Sequence, residues 1–167
     1  MSDVVRLARR EELPAVAELT VRAYLAEGTL AGDDDYLATL ADATARAETA
    51  ELYVAEEAGR LVGTVTVCPP GSAYAEIAGP GELEFRMLAV DPRDWGQGHA
   101  VRLLDTVADL ARTRGCRRVV ASVVDANAVA HRLYERCGFR RRPDRDWTPV
   151  PGVRLDVVEL DVDAGSA

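Results

Sequence analysis

The spacing of apolar residues divides the chain into alternating helical and extended segments. The clearest helical pattern covers residues 98–114. Its apolar side chains recur every three or four positions, at Ala100, Leu103, Leu104, Val107 and Ala111. Gly115 follows as a C-terminal cap. The next apolar segment, residues 119–124, is continuous, which predicts a strand that is covered on both faces.

Further helices are predicted at residues 11–26, at about 34–48 and at 127–137. Pro14 lies in the first turn of the first of these helices, where its missing N–H is tolerated, and Asp33, Asp34 and Asp35 supply the cap of the second. Alternating or β-branched runs predict six more strands, at residues 4–8, 51–57, 60–68, 83–90, 139–142 and 153–162. A hairpin is expected at Ala58-Gly59, and a charged loop is expected over residues 143–152.

This order of elements predicts one α/β (α+β) domain over residues 1–167. We expect a mixed twisted sheet of about seven strands with helices on both faces, and the last few residues are expected to form a disordered tail. A chain of 167 residues can bury a sizeable core without metals or disulfides.

Composition and charge narrow the function classes. The chain is 48% hydrophobic and 29% charged, which is typical of a soluble globular protein. No apolar run approaches the roughly 20 residues that span a bilayer, and the first residues do not resemble a signal peptide. We therefore expect a cytoplasmic protein without a membrane partner. The net charge of −8 argues against a nucleic-acid partner.

Two further classes of chemistry are disfavoured by residue types. All 20 basic residues are arginines, and without lysine the chain cannot form a P-loop nucleotide site or a Schiff base. Five residues have side chains that could bind a metal through sulfur or imidazole: Cys68, Cys116, Cys137, His99 and His131. They show no paired ligand spacing, so no metal site is predicted.

A glycine-rich turn joins the strand at residues 83–90 to the helix at 98–114. Gly96 and Gly98 allow the backbone to approach a ligand closely, and the amides of such a turn form an anion site with the helix dipole behind them. A sharp turn without a ligand is the alternative. The dinucleotide fingerprint requires a glycine near position 101, where this chain has Val101.

Two segments around this turn resemble the sequence motifs of one enzyme family. The first reads Leu88-Ala89-Val90-Asp91-Pro92, then Gly96-Gln97-Gly98-His99-Ala100, then Leu103-Leu104. The second reads Asn127, two residues, Ala130, two residues, Leu133-Tyr134, three residues, Gly138-Phe139. They resemble motifs A and B of the GNAT N-acetyltransferase superfamily, in the family's order. One departure is Trp95, which stands where motif A usually has glutamine or arginine.

The resemblance implies acetyl-CoA as the acyl donor and direct attack of an amine on its thioester. It implies that the pantetheine arm lies between the strands at 83–90 and 119–124. The residues implied to bind the cofactor are Leu88, Ala89, Val90, Trp95, Gly96, Gln97, Gly98, His99, Ala100, Asn127 and Tyr134. No metal is implied. Asn127 can also cap the following helix.

The resemblance also gives two candidate catalytic residues. Tyr134 is implied to protonate the departing thiolate, with packing in the core as its alternative role. Glu84 is implied to deprotonate the amine, with Glu82 and a water relay as competitors. Glu84 also has the alternative of a strand-edge carboxylate paired with Arg86. Without a bulge, strand alternation places Glu84, Arg86, Leu88 and Val90 on one face.

The acceptor is expected among the first two helices and the loops at residues 72–81 and 143–152. These segments carry Tyr24, Tyr36, Tyr74 and Trp147, which suits an amine with an apolar body on a small molecule or peptide. The arginines at 140–142 and 145 form either a solvated edge or a site for the 3′-phosphate of CoA, with Arg132 and Arg136 as rivals. A homodimer is one state that the resemblance allows. An inactive acyl-CoA-binding sensor and an ordinary α/β nucleotide-binding domain are the alternative functions.

Overall fold

The computed structural model describes residues 4–28 and 34–162, with the backbone alone at residue 34. Its strands and helices alternate in the predicted order. The strands are β1 (Val4–Leu7), β2 (Glu51–Glu57), β3 (Arg60–Cys68), β4 (Glu82–Val90), β5 (Arg118–Val124), β6 (Arg140–Arg141), β7 (Trp147–Val150) and β8 (Val153–Asp161). The helices are α1 (Leu13–Glu27), α2 (Asp34–Ala41), α3 (Ala43–Thr49), α4 (His99–Thr113) and α5 (Ala128–Arg136).

All eight strands belong to one sheet. Its order is β1-β2-β3-β4-β5-β8-β6, and β7 pairs with β8 outside this path. The β4–β5 pair is parallel and the other pairs are antiparallel. One core cluster joins the sheet to α4 and α5, and three smaller clusters join it to the first three helices. The predicted mixed sheet with helices on both faces is confirmed.

Two predicted elements differ from the structure. The helix expected at residues 34–48 is broken at Asp42, whose carboxylate accepts the N–H of Ala45 at 3.0 Å and so starts a new helix. The loop expected at residues 143–152 contains β7, which pairs with β8 in a hairpin that has Gly152 at φ 84°. The expected cap at Asp33 and the expected tail after residue 162 lie outside the described residues.

A bulge interrupts β4 at Met87. This residue has φ 56°, and the pairing of β4 with β3 shifts there, from Thr66↔Arg86 to Thr64↔Ala89. Beyond the bulge Leu88 packs against the core cluster of α4, while Met87 and Ala89 face α1 and α2. The alternation expected without a bulge therefore holds only as far as Arg86, because the extra residue turns the strand over before Leu88.

Helix length bears on one further point. No helix in the described part of the chain combines the length and the apolar composition that a membrane span requires.

Candidate functional site

The central feature of the site is a gap between β4 and β5. Their parallel pairing runs from Glu82↔Arg118 to Glu84↔Val120 and then stops, although both strands continue. Residues 85–90 of β4 therefore have no strand partner on this side, and their backbone groups are available to an extended ligand. We call this gap the central cleft. Leu88, Ala89 and Val90 form one wall of it.

A turn rich in positive φ leads from β4 into α4. Gly96 and Gly98 have φ 80° and 83°, which glycine adopts without steric penalty. No side chain caps α4. Within the described part of the chain, the amides of residues 96–101 donate to no protein oxygen. A 15-residue helix with free amides at its N-terminus favours an anionic group such as a pyrophosphate.

Two buried aspartates hold this turn in place. Asp91 accepts the N–H of Arg93 at 3.1 Å and pairs with the guanidinium groups of Arg93 and Arg22. Asp94 is bound by both terminal nitrogens of Arg60, at 2.6 and 2.9 Å. The hydrogen bond from Arg93 holds the pKa of Asp91 well below its usual range. Both carboxylates thus fix the backbone just before the glycines.

Trp95 lies between these anchors and the first glycine. The residue is 48% exposed, and its Nε1 donates to the carbonyl oxygen of Val90 at 2.8 Å. The indole therefore lies along the wall of the central cleft. Trp95 was the only sequence feature that favoured a binding-only protein.

His99 is buried beneath the turn, in a cluster with Glu57 and Asp94. Arg102 can only donate, so the His99 Nδ1 atom at 2.8 Å is the acceptor and the proton sits on Nε2. Nε2 faces the Glu57 carboxylate at 3.4 Å. A metal on Nε2 would move the proton to Nδ1, against the guanidinium. The side-chain contacts of His99 are thus structural, and its backbone N–H belongs to the turn.

Tyr134 lies on α5 with its ring in the core. The ring contacts Phe85 and Phe139 at centroid distances of 5.8 and 5.6 Å. Burial raises the pKa of its phenol, so the hydroxyl stays protonated at neutral pH. The hydroxyl makes no hydrogen bond to the described residues. A protonated, unengaged hydroxyl has the properties of a proton donor.

Asn127 precedes α5 at the end of the central cleft. Its Oδ1 accepts the N–H of Ala130 at 3.0 Å, which is the predicted cap. The same side chain also approaches the carboxylate of Glu27, toward which only its amide nitrogen can donate.

Glu84 is completely buried on β4. Its Oε1 accepts the backbone N–H groups of Glu76, Ile77 and Ala78 at 2.8, 2.9 and 3.0 Å. Its Oε2 is buried without a hydrogen-bond partner. These contacts make Glu84 an anchor of the preceding loop. The competitor Glu82 is held in the same way, by Arg145 at 2.9 Å and by the N–H of Gly79.

Comparison with known proteins identifies this architecture. The model of the acetyltransferase (GNAT) family matches residues 13–139, which include the central cleft, the turn and Tyr134. The chain belongs to the GNAT acetyltransferase family.

Named relatives show how this GNAT chain compares with longer and shorter members. It is 40% identical to mycothiol acetyltransferase from Thermobispora bispora over 101 residues, 59% of this chain and 31% of that protein. It is 28% identical to glucosamine 6-phosphate N-acetyltransferase from Trypanosoma brucei brucei over 144 residues, 84% of this chain and 93% of that one. The chain spans between 33% and 40% of the length of several other curated relatives.

A solved GNAT structure shows the same fold. The N-acetyltransferase PaiA from Thermoplasma acidophilum, in complex with coenzyme A, superimposes with a TM-score of 0.71 at 16% identity. The match covers 96% of this chain and 99% of that one.

The acceptor candidates of this GNAT chain lie on the sheet face that α1 and α2 cover. Tyr24 and Tyr36 are adjacent, with ring centroids 6.2 Å apart, and burial raises the pKa of each. Arg86 joins them to the 72–81 loop, since it pairs with Glu76 at 3.1 Å and donates to the carbonyl of Tyr74 at 3.3 Å. This region of the face therefore combines aromatic rings with both signs of charge.

Trp147 reaches the same face from β7. Its Nε1 donates to the Ser122 hydroxyl of β5 at 3.1 Å. Arg145, two residues before β7, donates to the carbonyl of Ile77 at 2.8 Å. The loops at residues 72–81 and 143–152 are thus in direct contact.

The predicted arginine cluster is mostly engaged in ion pairs. Arg140 and Arg142 both pair with the buried Glu159 at 2.9 Å, and Arg141 pairs with Asp146 at 2.8 Å. Of the arginines considered for the 3′-phosphate of CoA, Arg132 and Arg136 on α5 have no ion pair within the described residues.

Sequence reasoning missed two carboxylates of the acceptor face, Glu27 and Glu76. Glu27 lies three residues after Tyr24, and this spacing puts both side chains on one helix face. The spacing could therefore have indicated that Glu27 belongs to the acceptor face. Glu76 lies in an irregular loop, where periodicity gives no signal.

Proposed function

We propose that this chain transfers the acetyl group of acetyl-CoA directly to a primary amine of a small molecule or peptide. The observation that carries the proposal is the early end of the β4–β5 pairing, next to a helix start with free amides. An extended pantetheine arm fits along β4 and its pyrophosphate fits the amides of residues 96–101. Asn127 would bind the same arm from α5.

In this proposal the chemistry takes place where the central cleft passes Tyr134. The nitrogen of the amine attacks the thioester carbon, and the C–S bond breaks after a tetrahedral oxyanion has formed. A free backbone N–H of β4 near the bulge is the stabilising donor. Tyr134 gives its proton to the thiolate, since burial keeps the phenol protonated.

The acceptor enters from the opposite face of the sheet, among Tyr24, Tyr36, Tyr74 and Trp147. The aromatic rings favour an amine with an apolar body, and the net charge of −8 attracts cations generally. Amino acids, polyamines and peptide N-termini all fit this description.

A cytoplasmic location belongs to the same proposal. Its support is the state of the three cysteines, Cys68, Cys116 and Cys137, which are all free thiols in the structure.

The proposal is tested by incubating the protein with acetyl-CoA and pooled amines, followed by mass spectrometry of acetylated products. We expect acetylation of a subset of amines, with CoA released in equal amount. Tight acetyl-CoA binding without any acetylated amine would contradict it. Calorimetric titration with acetyl-CoA and CoA supplies the binding measurement in parallel.

A further inference from the structure

The base of the proposed reaction has two requirements. It must contact the amine, and it must return to water the proton that it gains in each turnover. Glu84 is completely buried and bound by three backbone amides. Glu82 is bound by Arg145 and lies at the pairing end of β4. Glu76 is ion-paired with Arg86. Glu84 and Glu82 are cut off from water, and the carboxylate of Glu76, although exposed, is already held by Arg86.

Glu27 is the last residue of α1, and its side chain is exposed. Ala23, one helical turn before it, packs against Ala89 of β4. The end of α1 therefore lies over the part of β4 that follows the bulge, which is the wall of the central cleft. Tyr24 is on the same side of the helix as Glu27, so the carboxylate lies beside an acceptor residue.

The opposite wall of the central cleft also faces Glu27. The side chain of Asn127, which precedes α5, approaches the carboxylate of Glu27. The negative charge of Glu27 also acts on the phenol of Tyr134. Glu27 stands on the acceptor side of the sheet, whereas Tyr134 stands among the residues packed against α4 and α5. Transfer of an acetyl group across the central cleft requires a base on the acceptor side and an acid on the thiol side.

We propose that Glu27 is the general base of this enzyme, an assignment that rests on the proposed acetyl transfer. The Glu27 carboxylate takes one proton from the ammonium group, and the freed lone pair forms the C–N bond. As the C–S bond breaks, Tyr134 protonates the sulfur and recovers the second proton of the nitrogen. Glu27 releases its proton to water, so the products are the acetamide, CoA thiol and one proton.

The environment of Glu27 suits this role. Although Glu27 as a residue is exposed, partial burial of its carboxylate raises the pKa to about 6, and the contact with Asn127 opposes this shift without cancelling it. The groups that face it are Tyr24, Tyr134 and Asn127, and Arg86 on β4 acts on Tyr24. A carboxylate with this pKa is ionised at pH 7 and is a stronger base than an ordinary glutamate. Activity should therefore fall as the pH drops through about 6.

The experiment compares the full chain with Glu27→Gln, using an amine found in the product screen, from pH 5.5 to 9.5. We expect kcat to fall about 100-fold at pH 7, with an unchanged KM for acetyl-CoA. The difference should shrink as the pH approaches the pKa of the amine, because free amine then needs no base. A purely structural role would lower kcat equally at every pH.

Two further variants complete the test. Glu18→Gln is the matched control, since Glu18 is exposed on the opposite side of α1 and should behave as the unchanged protein. Glu27→Asp retains a carboxylate and should keep the fall in rate near pH 6. A Glu27→Gln rate within threefold of the unchanged protein, or a deficit that is constant with pH, would overturn the assignment. Absence of acetylation by the unchanged protein would instead overturn both proposals.

Discussion

The indole nitrogen of Trp95 donates to the carbonyl oxygen of Val90 at 2.8 Å. Val90 ends the strand that forms one wall of the central cleft, so this bond engages a backbone group that the pantetheine arm would use in the proposed binding mode. In that mode, binding of CoA moves the indole or shares its acceptor.

We predict that acetyl-CoA changes the tryptophan fluorescence of the protein through Trp95. The change should persist in Trp147→Phe and disappear in Trp95→Phe. The latter variant should bind acetyl-CoA about two- to tenfold more tightly, because one hydrogen bond of about 0.5–1.5 kcal/mol no longer competes. Fluorescence and calorimetric titration measure both effects. An equal fluorescence change in both variants would show that the indole is not displaced.

Tyr134→Phe should lower kcat about 100-fold or more without a loss of stability. The hydroxyl has no hydrogen-bond partner among the described residues, while the ring keeps its contacts with Phe85 and Phe139. Only proton donation to the thiolate is removed. Steady-state kinetics and a thermal melt check this, and full activity of the variant would assign the proton to another donor.

Glu84→Ala should lower the free energy of unfolding by about 2–4 kcal/mol, because three backbone amides lose a buried acceptor. The affected loop carries Tyr74 and Glu76, so binding of the acceptor should weaken more than binding of acetyl-CoA. Urea unfolding and separate KM measurements test this. A variant with unchanged stability and no activity would favour catalysis by Glu84 instead.

Acid should weaken the attachment of β1 to α1. Both terminal nitrogens of Arg6 bind Glu12 at 2.9 Å, and this lowers the pKa of Glu12 from 4.5 to about 2. A lowered pKa contributes stability above about 4.5 that is lost as the pH falls toward 2. Glu12→Gln should thus be about 1–2 kcal/mol less stable at pH 7 and nearly equal near pH 2. The exposed Glu11→Gln is the control for these urea titrations.

Much of the fold could be predicted because apolar periodicity marks elements that cover a core. The α4 pattern and the continuous β5 run gave bounds within about one residue of the structure, which is the usual limit of such boundaries. The break at Asp42 was missed because a cap in the middle of a helical pattern leaves the apolar spacing intact. β7 was missed because its sequence, Trp147-Thr148-Pro149-Val150, includes proline and has only β8 as a partner.

The site divides in the same way. Its proposed cofactor side is carried by contiguous motifs, so the glycine turn, Asn127 and Tyr134 could be named as candidates from sequence. Its acceptor side combines α1, a loop and β7, whose proximity depends on tertiary contacts such as Arg145 with Ile77. The role of Glu84 depends on where an irregular loop places three amides, and no periodic pattern encodes that.

The ion pairs that hold β6 and β8 have a chemical consequence for an enzyme of this kind. Every described ion pair uses arginine or histidine as its cation, as in the binding of Arg140 and Arg142 to Glu159. A guanidinium stays charged at any pH the cell experiences and is a very poor nucleophile toward a thioester, whereas an amine is acylated. The arginine ion pairs are therefore chemically inert toward acetyl-CoA. Prolonged exposure to this donor does not neutralise the positive charges that hold the strands together.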